Sequence, residues 1–178
     1  MRAGSPRYNG SMVSSQPFLI CGLPGTGKTT LVQLLAERWG RANCIGFFTQ
    51  ETREKGRRTG FFWETFDGRR GTLADLNPGT PRVGKYRVDL ESFEKILPEL
   101  AVIPSEKILI IDEIGKMECL SPQFRSLLSQ WEKCIGRRIF TVPMYGTQFI
   151  ENFKTRNRRY LIHLTRSNRE ELLESLSS

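Results

Sequence analysis

The chain has 178 residues, enough for one domain with a hydrophobic core and too few for two domains of ordinary size. Hydrophobic residues make up 38% and charged residues 26%, which is typical of a globular protein, and no apolar run approaches the roughly 20 residues of a membrane-spanning helix. The net charge of +8 favours anionic partners such as nucleotides, nucleic acid or anionic lipid, without choosing among them.

The N-terminal segment and the cysteines indicate how the chain is organised and where it works. Residues 1–16 are polar and lack the apolar centre of a secretory signal, so we predict a flexible tail followed by one domain over residues 17–178. The cysteines lie far apart with no CxxC pair, at Cys21, Cys44, Cys119 and Cys134. Thiols in this arrangement predict a reducing, cytoplasmic setting.

The first half of the domain begins with a strand, a turn and a helix. Residues 17–21 are an apolar run that predicts a strand, and after a glycine-rich turn the spacing of Leu31, Leu34 and Leu35 predicts a helix. Residues 44–48 predict a second buried strand. The segments RRTGFFWETFDG and VGKYRV then alternate loosely, which predicts antiparallel strands around turns.

The second half continues the alternation. A helix is predicted from its cap Asp89, with an apolar stripe at Leu90, Phe93, Ile96, Leu97 and Leu100. Ser121 and Pro122 predict the start of another helix, with serine as the cap and proline in the first turn. Further strands are predicted at residues 107–111, 138–142 and 160–164.

The last helix is predicted from a capping box formed by Ser167 and Glu170. Strands that alternate with helices imply a mostly parallel sheet with helices on both faces. The sequence therefore predicts an α/β fold with a small antiparallel excursion in the middle.

Residues 22–29, GLPGTGKT, match the phosphate-binding pattern G-x-x-x-x-G-K-[ST] between a predicted strand and a predicted helix. Glycines in the loop let backbone N–H groups approach phosphate oxygens, and the helix N-terminus attracts anions. Lys28 is expected to contact the outer phosphates, and the Thr29 hydroxyl is expected to bind Mg²⁺. The predicted nucleotide-binding residues are Gly22, Leu23, Pro24, Gly25, Thr26, Gly27, Lys28, Thr29 and Thr30.

Two adjacent carboxylates, Asp112 and Glu113, follow the aliphatic run at residues 107–111. In P-loop proteins a core strand ends in an acid near the phosphate loop, so we predict that Asp112 holds Mg²⁺ together with Thr29. Glu113 points differently and is predicted to be the general base for water; the alternative is a salt bridge at the strand end. Two later charged residues either return over the site or lie in a solvated loop: Lys116 and Glu118.

An arginine is also expected, because arginine commonly meets the charge that develops on a transferred phosphoryl group. The candidates are Arg53, Arg57, Arg58 and Arg156, although each alone is more often a surface cation. Thr141 is either a sensor of the terminal phosphate or a capped strand end. His163 is predicted to be structural.

The chain resembles a family of small nucleoside-triphosphatases found in thermophilic prokaryotes and, in animals, as the cancer-related nucleoside-triphosphatase. DEIGKME is the most specific of the blocks that carry the resemblance, and GLPGTGKTT, GFFTQETR, GRRTGF, VGKYRVDLESFE, TVP and LTRSNREELL are the others. The resemblance implies a RecA-like P-loop domain that hydrolyses several nucleoside triphosphates with Mg²⁺. It also implies that Glu113 activates water and that Arg156 is the family's late arginine.

The leading hypothesis is therefore a monomeric, Mg²⁺-dependent enzyme that hydrolyses ATP, GTP and other nucleoside triphosphates, with Lys28, Glu113 and Arg156 as its catalytic residues. A small nucleotide kinase is the alternative among enzymes, because similar loops open many kinases. A nucleic-acid-binding module is favoured least, because no aromatic RNA-recognition motif accompanies its candidate phosphate contacts. These contacts are Arg137, Arg138, Arg156, Arg158 and Arg159.

Overall fold

The computed structural model describes residues 17–134 and 136–177, so the tail predicted at residues 1–16 lies outside the described residues. The strands are β1 (Pro17–Gly22), β2 (Cys44–Glu54), β3 (Arg57–Thr65), β4 (Arg70–Asp75), β5 (Arg82–Val83), β6 (Tyr86–Val88), β7 (Ile108–Asp112), β8 (Arg138–Pro143) and β9 (Leu161–His163). The α-helices are α1 (Lys28–Trp39), α2 (Leu90–Glu94), α3 (Pro122–Trp131), α4 (Gln148–Arg156) and α5 (Arg169–Ser177).

The nine strands of the described residues form one sheet, in the order β5-β6-β4-β3-β2-β7-β8-β1-β9. The five strands from β2 to β9 in that order are parallel, and β3, β4, β6 and β5 extend the sheet antiparallel beyond β2. The predicted α/β fold with an antiparallel excursion is confirmed. The strand β8 separates β1, which precedes the glycine-rich loop, from β7, which ends in Asp112.

Each face of the sheet carries its own apolar core because side chains alternate along a strand. In β1, Leu19 and Cys21 belong to the core under α2, α3 and α4, whereas Ile20 belongs to the core under α1 and α5. Aromatic rings pack against one another in the first core. Phe93 of α2 makes an edge-to-face contact with Phe47, with 5.3 Å between the ring centroids. Such pairs contribute about 0.5–1.5 kcal/mol beyond their burial.

The antiparallel excursion begins with a two-residue hairpin. Lys55 and Gly56 both have positive φ, 48° and 78°, and they connect the paired residues Glu54 and Arg57. Positive φ at both positions is the geometry of the turn that matches strand twist in tight hairpins. This hairpin extends β2 to Glu54, well beyond the predicted strand at residues 44–48.

Helix starts agree with the sequence better than helix ends. Asp89 caps α2 by accepting the N–H of Ser92, and Ser121 caps α3 by accepting the N–H of Phe124, both as predicted. However, α2 ends at Glu94, and the stripe predicted as one helix continues into a 3₁₀ turn that starts at Pro98. Pro98 has no N–H to donate to the Glu94 carbonyl, and that carbonyl accepts instead from Leu97 in a 3₁₀-type bond at 3.2 Å.

Two helices differ from the predictions. The structure contains α4, for which no helix was predicted, between β8 and β9. The helix α5 begins at Arg169, so Asn168 precedes it and the predicted capping box of Ser167 and Glu170 is wrong. The Asn168 side-chain oxygen accepts a hydrogen bond from the N–H of Thr165. The Asn168 backbone carbonyl accepts from the N–H of Leu172, which is the first hydrogen bond of the helix. Among the described residues, no helix is long and apolar enough to cross a membrane.

Candidate active site

The glycine-rich loop joins the carboxyl end of β1 to the start of α1. Gly27 has φ 94° and stands at the N-cap of α1 without a side-chain cap, so the first N–H groups of the helix face the loop. A Cβ on Gly22 would lie 2.7 Å from Thr26 Oγ1 and 2.9 Å from the Leu164 carbonyl oxygen, so no larger residue fits there. The result is a backbone cradle suited to phosphate.

Lys28 crosses this cradle. Its ammonium group donates to the Gly22 carbonyl at 2.9 Å and lies 3.5 Å from Glu113 Oε2. The structure therefore brings together the cation predicted for the phosphates and the carboxylate predicted to activate water. This contact is itself a salt bridge, which was the alternative role considered for Glu113.

Asp112 is almost fully buried, with 1% of its surface exposed, and both carboxylate oxygens are occupied. Oδ2 accepts from the Thr29 hydroxyl at 2.5 Å, and Oδ1 accepts from the Thr141 hydroxyl. Burial raises the pKa of Asp112 to about 6, and the hydrogen bonds from Thr141 and Thr29 oppose that rise. Thr141 is therefore a partner of Asp112 from the strand between β1 and β7.

The donor set around Asp112 fits Mg²⁺. Thr29 and Asp112 offer a hydroxyl and a carboxylate oxygen within 2.5 Å of each other, and Mg²⁺ prefers oxygen ligands in small number, completed by water and substrate phosphates. The described residues contain no group of three or more His, Cys, Asp or Glu side chains arranged to hold a metal. A metal at Asp112 would therefore need ligands from the nucleotide, as Mg²⁺ does.

Glu118 is buried next to Glu113 and does not lie in a solvated loop. Only 3% of its surface is exposed. A Cβ on Gly115 would lie 2.5 Å from Glu118 Oε2 and 3.2 Å from Glu113 Oε1, so both carboxyl groups crowd the same glycine. Burial first, and then the charge of Glu113, raise the pKa of Glu118 to about 8. Lys116, by contrast, is exposed.

A cleft of about 710 Å³ joins these groups. The cleft is lined by the phosphate loop, by Asp112 and Glu113, and by residues of the long β2–β3 hairpin. The hairpin residues are Thr49, Gln50, Glu51, Arg53 and Phe61. Arg169, the first residue of α5, also lines the cleft, beside Gly27 of the loop.

Of the arginines predicted from sequence, Arg53 alone lines this cleft. Its guanidinium binds Glu51 Oε2, with Nε at 2.9 Å. Arg58 binds the other oxygen of Glu51 at 2.7 Å and the Tyr86 hydroxyl at 3.0 Å. Arg57 is exposed on the hairpin and does not line the cleft.

The structure does not bring Arg156 to the cleft. Arg156 ends α4, and its guanidinium lies 3.3 Å from Glu132 Oε2 at the end of α3. That end of α3 adjoins the start of β8, because the Trp131 carbonyl accepts from Arg138 at 2.9 Å. The acids of the site lie at the opposite, carboxyl end of the strands, so Arg156 lies away from them and its implied role stays a prediction.

No role was predicted for Arg169, although it falls within LTRSNREELL. Its position beside the phosphate loop depends on the pairing of β9 with β1, which a local pattern does not reveal. The nucleic-acid alternative loses one of its contacts, because Arg138 is buried with 4% of its surface exposed. Arg137 lies over the Trp39 ring at 4.9 Å.

Comparisons with known proteins agree with this geometry. A family model described as NTPase matches residues 17–177. The chain is 40% identical over 164 residues to the nucleoside-triphosphatase THEP1 of Thermotoga maritima, covering 90% of this chain and 93% of that protein. It is 35% identical over 175 residues to the human cancer-related nucleoside-triphosphatase, covering 88% and 92%.

Solved structures give the same result. The crystal structure of THEP1 from Aquifex aeolicus has a TM-score of 0.78 and 34% identity, over 90% of this chain and 96% of that one. The solution structure of the human cancer-related nucleoside triphosphatase has a TM-score of 0.73 and 35% identity, over 90% and 95%. The phosphate loop, the acid pair and these matches together identify the chain as a member of the NTPase family of P-loop nucleoside-triphosphatases.

Proposed function

We propose that this protein hydrolyses nucleoside triphosphates, ATP and GTP among them, to nucleoside diphosphate and phosphate, with Mg²⁺ as its cofactor. One observation carries the proposal: the phosphate loop and the end of β7, which are distant in sequence, are joined by two side-chain contacts. Thr29 binds Asp112 at 2.5 Å, and Lys28 lies 3.5 Å from Glu113. The phosphate cradle and the acidic strand tip thus form one cleft, as metal-assisted phosphoryl transfer requires.

The chain's own groups would divide the work of binding. Backbone N–H groups of the loop and the ammonium of Lys28 would hold the outer phosphates. Thr29 and Asp112 would hold Mg²⁺, which, when bound, neutralises charge that develops on the phosphate oxygens. A triphosphate would compete with Glu113 for Lys28, which releases the glutamate carboxylate toward the cleft.

Glu113 would then act as the general base. A water oxygen attacks the γ-phosphorus and loses its proton to the Glu113 carboxylate, while the bond from the γ-phosphorus to the bridging oxygen breaks. The products are nucleoside diphosphate and inorganic phosphate. We further propose that Arg53, the hairpin arginine in the cleft, leaves Glu51 to meet charge on the transferred group.

The test is Glu113→Gln, which keeps size and hydrogen bonding but removes the base. The parent should release phosphate from ATP, GTP, CTP and UTP with Mg²⁺ and not without it. In the variant, release with Mg²⁺ should fall by about 10²- to 10⁴-fold, while nucleotide binding persists. Glu132→Gln is the matched control, because Glu132 pairs with Arg156 outside the cleft. Release at the parent rate by Glu113→Gln would refute the assignment of the base.

The same assay separates hydrolysis from phosphate transfer. Added nucleoside monophosphates should not be converted to diphosphates, in contrast to the kinase alternative, which the family match does not support. A monomeric state and a cytosolic location complete the proposal. The four cysteines are free thiols, which persist most readily in a reducing compartment.

A further inference from the structure

We propose that Arg169 is a nucleotide-binding residue that contacts the α-phosphate, so that it binds diphosphates and triphosphates equally well. The inference rests on the proposed function, which places the nucleotide in the phosphate loop. It adds a second cation to the site from α5, more than 130 residues along the chain from the loop.

The side chain of Arg169 lies against the phosphate loop. A Cβ on Gly27 would be 3.1 Å from Arg169 Nη1 and 3.2 Å from its Cδ. Thr30 Cβ, in the first turn of α1, would be 3.9 Å from the same Gly27 Cβ. The guanidinium therefore stands beside the first turn of α1, where backbone N–H groups already favour an anion.

Arg169 has no acidic partner of its own. In the part of the chain that the structure describes, its guanidinium makes no hydrogen bond and no ion pair. The hairpin arginine of the same cleft, Arg53, is by contrast held by Glu51. A half-buried, unpaired guanidinium that lines a phosphate cradle offers fork-shaped donors to an oxyanion.

The position of Arg169 is fixed by the elements around it. Helix α5 is tied to α1 by an ion pair between Arg38 and Glu174 at 2.5 Å and by the Trp39 indole, which donates to the Ser177 carbonyl. The turn before the helix is closed by Asn168, which donates to the His163 carbonyl at 2.8 Å. Because the backbone is held at both ends, little ordering is needed when a ligand arrives.

The sheet order indicates which phosphate Arg169 meets. The strand β9, which leads into α5, lies on one side of β1, and β8 and β7 lie on the other. Asp112 and Glu113 therefore approach the loop from the side opposite to Arg169. The terminal phosphate must face Glu113 for hydrolysis, so the α-phosphate faces Arg169.

The test compares Arg169→Ala, Arg169→Lys and Arg166→Ala for binding of ATP, ADP and inorganic tripolyphosphate. Loss of the charge-assisted contact in Arg169→Ala should weaken binding of all three ligands by a similar factor, roughly tenfold. The lysine variant should recover part of the affinity. Arg166 is exposed, does not line the cleft and controls for net charge.

Each other outcome overturns the inference in a recognisable way. A loss for ATP but not for ADP would place Arg169 at the terminal phosphate. A loss for both nucleotides but not for tripolyphosphate would place it at the base or ribose. If the parent binds all three ligands and Arg169→Ala binds them equally well, Arg169 has no role in nucleotide binding. If the parent itself binds none of the three ligands, the proposed function is refuted instead.

Discussion

Glu118→Gln offers a test of the electrostatics beneath the site. The Glu118 carboxyl is buried, and its pKa rises from 4.5 to about 8 because burial disfavours the charge and Glu113 adds a second one nearby. In the unfolded chain the same group ionises near 4.5. Between these two values the folded protein therefore keeps a proton that the unfolded chain has lost.

The sign of the pH dependence follows from that difference. Stability changes with pH in proportion to the protons bound by the unfolded state minus those bound by the folded state, which is negative here. The contribution of Glu118 to stability is therefore greatest below pH 4.5 and falls as the pH rises to about 8. At about 1.4 kcal/mol per unit of pKa, the loss across this window is several kcal/mol at most.

Glutamine cannot ionise and closely resembles the protonated acid. We expect Glu118→Gln to match the parent near pH 4 and to exceed it increasingly toward pH 8, in urea unfolding at a series of pH values without nucleotide or metal. Glu106→Gln, a change at an exposed acid, should run parallel to the parent throughout. If Glu118→Gln also runs parallel to the parent, Glu118 is ionised in the fold and the reasoning from burial fails.

Two further substitutions test the assignments around the cleft. Arg156→Ala should leave phosphate release unchanged and cost less than about 1 kcal/mol of stability, because Arg156 pairs with Glu132 at a partly exposed site; a fall in kcat of a hundredfold or more would restore the role implied by resemblance. Thr141→Val removes a hydrogen bond from buried Asp112 and should cost about 1–3 kcal/mol in denaturant unfolding. An unchanged denaturation midpoint would mean that the Thr141 bond contributes nothing.

The five parallel strands were predictable because each contains an apolar run, whereas β4 (Arg70–Asp75) was not predicted, because only Leu73 and Ala74 in it are apolar. The apolar runs at residues 17–21 and 107–111 became β1 and β7 with boundaries shifted by one residue or so. Helix α4 escaped prediction although Ile150 and Phe153 stand at helical spacing, because it is nine residues long and Thr147 makes no side-chain cap. Short helices of this kind depend on tertiary packing, and both apolar side chains are fully buried.

Site residues that belong to a local motif were predictable, whereas the position of Arg169 was missed. The phosphate loop and the acid pair are local patterns whose chemistry follows from the residue types. Lys28, Asp112 and Glu113 could therefore be predicted as site residues from these short segments alone. The arginines carry no such pattern. A guanidinium can approach a phosphate from any element, and only the three-dimensional arrangement separates Arg169 from Arg156.

The order of strands in the sheet explains why the sequence alone does not show which of Arg156 and Arg169 lies at the site. Chain order runs β1, β7, β8, β9, whereas spatial order runs β7, β8, β1, β9. The crossover brings Thr141 of β8 between the loop and Asp112, and it leaves the last strand free to deliver α5 to the far side of the loop. In parallel sheets, ligands bind at the carboxyl ends of strands, where such a change in order opens a crevice. The two sides of this crevice would then hold opposite ends of one triphosphate: Glu113 at the end that is cleaved and Arg169 at the end that is kept.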